Sequence, residues 1–98
     1  MYGLIGSFHA HAGQRDALID LMSEGIRNMP GCLSYIIAKD VNDDRKIWVT
    51  EVWDNKDSHA ASLKLPAVTA TITKAMPLIA GFGEQIITAP VSGQNLAE

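Results

Sequence analysis

The sequence predicts an α+β fold of the ferredoxin-like type, βαββαβ, in which a four-stranded antiparallel sheet carries its helices on one face. Three observations predict it. Apolar residues alternate with a period of two in four separate segments, and the stretches after the first and third of these switch to helical spacing. The two middle strands are joined only by a short polar turn, so they pair as a hairpin, whereas each helix lies between strands that need a crossover. Two right-handed crossovers then put both helices on the same side of the sheet. A chain of 98 residues is the size of one domain, so positions 1–98 are expected to form a single unit, with 91–98 as a loose tail.

Tyr2 to His11 alternates well enough for the first strand, with Tyr2, Leu4, Gly6, Phe8 and Ala10 on one face and Ile5, Ser7, His9 and His11 on the other. From Gln14 to Asn28, Leu18, Leu21, Met22, Ile26 and Met29 make a helical stripe. Asp16 sits near the helix start, where the backbone dipole favours negative charge, and Pro30-Gly31 ends the helix. Cys32 to Lys39 is the second strand. The turn DVNDDR, Asp40 to Arg45, leads into the third strand, Lys46 to Trp53. On that strand Ile47, Val49, Glu51 and Trp53 share one face, and Trp48, Thr50 and Val52 share the other. Asp54 and Asn55 offer side-chain oxygens to cap a helix over Lys56 to Lys64. Val68 to Thr73 fits strand alternation as well as a helical stripe; its length and its place after Pro66 favour helix, which Pro77 should end or kink. The last strand is expected over Phe82 to Ala89, closed by Pro90.

Composition excludes several functions. The net charge of -3 leaves no basic excess for a general nucleic-acid binder. No apolar run approaches the roughly 20 residues that span a bilayer, and the first eleven residues lack the charged start of a signal peptide. Cys32 is the only cysteine, which removes any intrachain disulfide or cysteine metal cluster. A cytoplasmic location is expected. The face opposite the helices carries Ile5, Ile36, Trp48 and Val52, too apolar a patch to leave in water. It is expected to pack on the same face of a second copy about a two-fold axis.

Three short segments, GCLSY (Gly31 to Tyr35), EVW with its polar turn (Glu51 to Asn55) and PLIAGF (Pro77 to Phe82), together resemble the antibiotic biosynthesis monooxygenase family, above all its small bacterial members of the quinol monooxygenase type. The resemblance spans about Tyr2 to Ala89. It implies a dimeric α+β barrel with a pocket between sheet and helices. It also implies oxidation of a quinol, phenolic or anthrone-like molecule by O2, with neither flavin nor metal. Many members carry a histidine nine residues after the tryptophan of the E-x-W motif. Here that position is Ser62, and the histidine stands three residues earlier, at His59. A haem-degrading branch of the same fold uses an asparagine on the first strand, where this chain has Gly6.

Such chemistry needs apolar walls for a flat ring, a base for a phenolic proton and a donor for the developing oxygen charge. A histidine suits the base, because its reference pKa of about 6.5 lies near neutrality. His59, Trp53 and Tyr35 are therefore the candidate catalytic residues. Leu4, Phe8, Met22, Val49, Glu51, Leu63, Met76 and Phe82 are the candidate substrate contacts. Each has a plainer reading. Trp53 and Tyr35 suit a core, His59 suits a solvated helix, and Glu51 suits a structural carboxylate bonded to helix-start amides or to Arg15 or Lys56. His9 and His11 share a strand face but fall short of a metal site, and Asp40, Asp43 and Asp44 form a solvated turn rather than a calcium loop. Two other readings stay open: a non-catalytic ligand-binding or stress-related dimer, and an isomerase of a small phosphorylated signal molecule.

Overall fold

Hydrogen bonding assembles β1 (Tyr2–Ala10), β2 (Cys32–Lys39), β3 (Lys46–Trp53) and β4 (Ile79–Thr88) into one sheet in the order β2-β3-β1-β4, every neighbouring pair antiparallel. α1 (Arg15–Gly25), α2 (Lys56–Ser62) and α3 (Pro66–Ala75) fill the two crossovers, and a single 3-10 turn, Met76–Leu78, precedes β4. This computed structural model describes residues 1–96. The order of elements is the ferredoxin-like one that the periodicities predict. Positions 89–96 hold neither helix nor strand; the last two residues of the expected tail lie outside the described residues.

Local chemistry explains most boundaries. Asn55 is the N-cap of α2: its Oδ1 accepts the Ser58 amide at 2.8 Å. Leu65 is extended because it precedes a proline, and Pro66 opens α3 where a missing N–H costs nothing. Residues 68–73 are helical. Their threonines fit because Thr71 and Thr73 donate to the carbonyls of Ala67 and Thr69, four residues back. α1 stops at Gly25, three residues before the expected end, and Asn28 then takes a left-handed φ of 53°. Gly31 also has positive φ, 82°. A Cβ there would fall 2.6 Å from Cβ of Ser58, so only glycine lets β2 begin against α2. β4 begins at Ile79, three residues earlier than expected, since Ile79 still pairs with Ala10.

The core lies between the sheet and the helices in two groups. One gathers Ala10, Leu18, Met22, Ile47, Val49 and Ala75; the other gathers Met29, Trp53 and Val68. Trp53 is wholly buried on this side. Trp48, on the opposite face, is half-buried, donates Nε1–H to Asp40 at 2.8 Å and lies under the Lys46 ammonium. Strand pairing lines up Ile36, Thr50, Ile5 and Ile86 in one row across that outer face. Ile36 is 56% and Ile86 50% exposed.

The turn between β2 and β3 is exposed at most of its positions and is pinned by hydrogen bonds. Asp40 accepts the amides of Asn42 and Asp43, and Arg15 reaches from α1 to the Asp43 carbonyl at 2.8 Å. Its Nη1 also lies 3.4 Å from the carbonyls of Asp40 and Lys46. Arg15 is thereby committed to this turn and not to Glu51, the partner that charge alone suggests for it.

Candidate active site

β3 and α2 supply the polar centre. Glu51 and Trp53 are two apart on β3 and so point the same way, toward the helices. Trp53 donates its indole N–H to Oε1 of Glu51 at 3.0 Å. Asn55 starts α2 immediately afterwards, which brings His59 back over the strand it has just left. The His59 ring lies between Tyr2, with centroids 5.7 Å apart, and Trp53, edge-on at 5.4 Å. Its Nε2 stands 4.0 Å from Oε1 of Glu51. The carboxylate's neighbours are thus the indole and the imidazole, and neither helix-start amides nor Lys56.

Burial dominates the electrostatics. It pushes the Glu51 carboxyl above its ordinary value, against the opposing pull of the Trp53 N–H and the His59 ring. Tyr35 pairs with Glu51 across β2 and β3. Its phenol is pushed far up by burial, then by the charges of Glu51 and Cys32, so it stays a neutral donor. Burial likewise raises the Cys32 thiol, which donates to the Ser34 carbonyl.

These groups border a cavity of about 270 Å³. Tyr35, Glu51, Trp53 and His59 line it together with Phe8, Met22, Leu63, Met76 and Phe82. Ser62, where many relatives are expected to carry histidine, lines the same cavity one turn further on and donates to the His59 carbonyl at 2.6 Å. Two of the expected wall residues fall elsewhere. Leu4 is buried and lines neither this cavity nor a second one of about 250 Å³, which Val49 borders. Sequence reasoning missed Ile26, Met29, Val68 and Ile72 as wall residues, although the first two belong to the apolar stripe predicted after the first strand and the last two to the helical stretch after Pro66.

The other histidines lie apart. His9 pairs with Asp43 at 3.0 Å, and His11 is exposed. Among the described residues, no group of three or more His, Cys, Asp or Glu side chains is placed to hold a metal ion. No helix among them is long and apolar enough to cross a membrane.

Comparison with known proteins places this geometry in a family. Residues 1–74 match the family model for antibiotic biosynthesis monooxygenase. A candidate antibiotic biosynthesis monooxygenase of Chloroflexus aurantiacus is 52% identical, covers 98% of each chain and superposes with a TM-score of 0.95. A second, from Deinococcus radiodurans, is 24% identical over 100% of each chain, with a TM-score of 0.78. SnoaB, a cofactor-independent oxygenase of Streptomyces nogalater, shares the fold at a TM-score of 0.74, with 14% identity over 95% of each chain. No curated protein sequence matches the chain. On the family match over residues 1–74 and the 52% identity with the Chloroflexus protein, the chain belongs to the antibiotic biosynthesis monooxygenase family.

Proposed function

We propose that the chain is a cofactor-independent monooxygenase that oxidises a flat phenolic molecule, quinol-like or anthrone-like, with O2. The observation that carries this reading is a half-buried acid–imidazole pair, Glu51 and His59 at 4.0 Å, at the edge of a cavity whose other walls are almost all apolar. A phenolic hydroxyl within hydrogen-bond reach of Nε2, about 2.8 Å, would donate its one hydrogen to His59, while Glu51, an acceptor that already holds the Trp53 N–H, faces the imidazole rather than the substrate oxygen. His59 takes the phenolic proton, and the Glu51 carboxylate balances the imidazolium that forms. Trp53 is a positioning residue, since its only N–H is spent holding Glu51. Tyr35 donates toward the negative oxygen.

The substrate supplies the electrons. A phenolate gives them to O2; one oxygen atom enters the ring at a free C–H position and the other leaves as water. Phenol plus O2 becoming para-quinone plus water balances without an outside reductant. SnoaB, which shares the fold, is a cofactor-independent oxygenase, and the same economy suits this pocket. A phosphorylated substrate fits it poorly, because no lysine or arginine among the described residues lines the cavity.

We place the working form as a homodimer in the cytoplasm, closed through Ile5, Ile36, Trp48 and Val52 on the outer sheet face. The deciding experiment for the activity is oxygen uptake on a panel of quinols and anthrones, with chelator present and flavin absent. Substrate-dependent uptake above the uncatalysed rate, lost in His59→Ala, is the expected result. Uptake that His59→Ala leaves intact assigns the proton to another group, and no uptake on any member of the panel overturns the activity.

A further inference from the structure

The second cavity, of about 250 Å³, adjoins the first and shares Phe8, Met22, Tyr35, Glu51 and Phe82 with it. Its remaining lining differs in character. Val49 is apolar, but Gly6, Ser7, Gly83, Glu84 and Gln85 bring a glycine-rich, polar wall. That wall is made by a break in strand pairing. Gly6 pairs with Gln85 and Phe8 with Phe82, so Gly83 and Glu84 stand opposite Ser7 alone. The bulge is pinned by Ser7, whose Oγ takes the Glu84 amide at 3.0 Å and lies 3.3 Å from its carboxylate.

Gly6 is the informative residue. Its backbone does not need glycine, for only Gly13 and Gly31 have positive φ among the glycines. Packing does not need it either: a Cβ there would meet nothing closer than the Glu84 carbonyl at 3.7 Å. Gly83, by contrast, has no room, because its Cβ would overlap the Ser7 hydroxyl. A strand glycine without a conformational or packing reason weakens the strand and leaves space for something from outside the chain.

We propose that the ligand is bipartite, a phenolic ring in the first cavity beside His59 and an uncharged, hydroxyl-bearing arm that passes Glu51 into the second cavity. The charge follows from the lining. Among the described residues neither cavity is bordered by lysine or arginine, and the second meets both Glu51 and Glu84, so an anionic arm has no partner there. Glu84 is already engaged by Lys46 and Ser7. The Gln85 amide offers a donor and an acceptor, which suits a hydroxyl.

This rests on the first cavity taking an aromatic ring, but it is tested by binding rather than by turnover. Failure of oxygen uptake therefore strikes the activity alone. Three probes are titrated by fluorescence: naphthol, naphthol with a hydroxypropyl arm, and naphthol with a carboxyethyl arm. The native protein is expected to bind the hydroxypropyl compound at least about tenfold more tightly than naphthol, and the carboxyethyl compound no more tightly than naphthol. Gly6→Leu fills the second cavity and should abolish the gain while keeping naphthol affinity within about twofold. Gln85→Phe, an exposed position on the facing strand, blocks the same space if Gly6→Leu does not fold. No gain from the hydroxyl arm, a gain that survives both substitutions, an equal gain from the carboxylate, or no naphthol binding would each overturn the proposal.

Discussion

Nε2 of His59 stands 4.0 Å from Oε1 of Glu51, across a gap too long for a hydrogen bond. The pair joins a strand to the helix that follows it, and Trp53, between the two residues in sequence, bonds to the first and meets the ring of the second edge-on. The same carboxylate oxygen accepts the Trp53 indole, so one acid holds the indole and faces the imidazole.

Glu51→Gln tests the desolvation. Burial raises the folded pKa of Glu51 above the ordinary 4.5. Between 4.5 and the raised value the native state holds more of this proton than the unfolded chain, so stability falls as pH rises through that window. The amide escapes this loss. Glu51→Gln is expected to melt higher than the native protein at about pH 7 and level with it at about pH 4, while oxygen uptake falls by about a hundredfold. Melting curves across pH check it; an offset that does not vary with pH contradicts the account.

Trp53→Phe keeps an aromatic ring but removes the donor on which the buried carboxylate depends. The expected cost is about 1–3 kcal/mol in urea unfolding. The carboxyl pKa should climb further, moving the acidic limb of the pH–rate profile upward. In the Glu51→Gln background the same substitution should cost less, since no buried charge is left without its donor, and a double-mutant cycle measures the difference.

Gly25 and Thr71 set how closely α1 and α3 approach. A Cβ at Gly25 would overlap Oγ1 of Thr71, which is buried and bonded to the Ala67 carbonyl at 2.8 Å. At the end of a helix, glycine to alanine ordinarily stabilises. Gly25→Ala should here destabilise by about 1–3 kcal/mol, and Thr71→Ala should recover part of that loss in the double variant. Chemical denaturation of the three proteins reads both effects.

Ile36→Asp separates fold from assembly. Ile36 is 56% exposed in the single chain, so a charge there should change the stability of an isolated chain by no more than about 0.5 kcal/mol. A two-fold contact through the outer face would bury that charge against its copy and come apart. Light scattering should report a halved mass for the variant; an unchanged dimer would move the contact to another surface.

Much of the site was legible in the order of residues. Strand alternation separates Trp53 from Trp48 without any tertiary information, because side chains one apart on a strand must oppose each other. Asn55 announces α2 through its own side chain, and Pro66 turns an ambiguous threonine run into a helix. These are local effects, complete within a few residues.

What the chain order could not convey are relationships set by register between distant strands. The expected partners of Glu51, Arg15 and Lys56, were plausible by charge, yet Arg15 is drawn to the carbonyls of the β2–β3 turn. The second cavity depends on a bulge between Ser7 and Glu84, 77 residues apart. No periodicity encodes that mismatch, since it arises only when two strands with unequal residue counts are forced to share one ladder of hydrogen bonds.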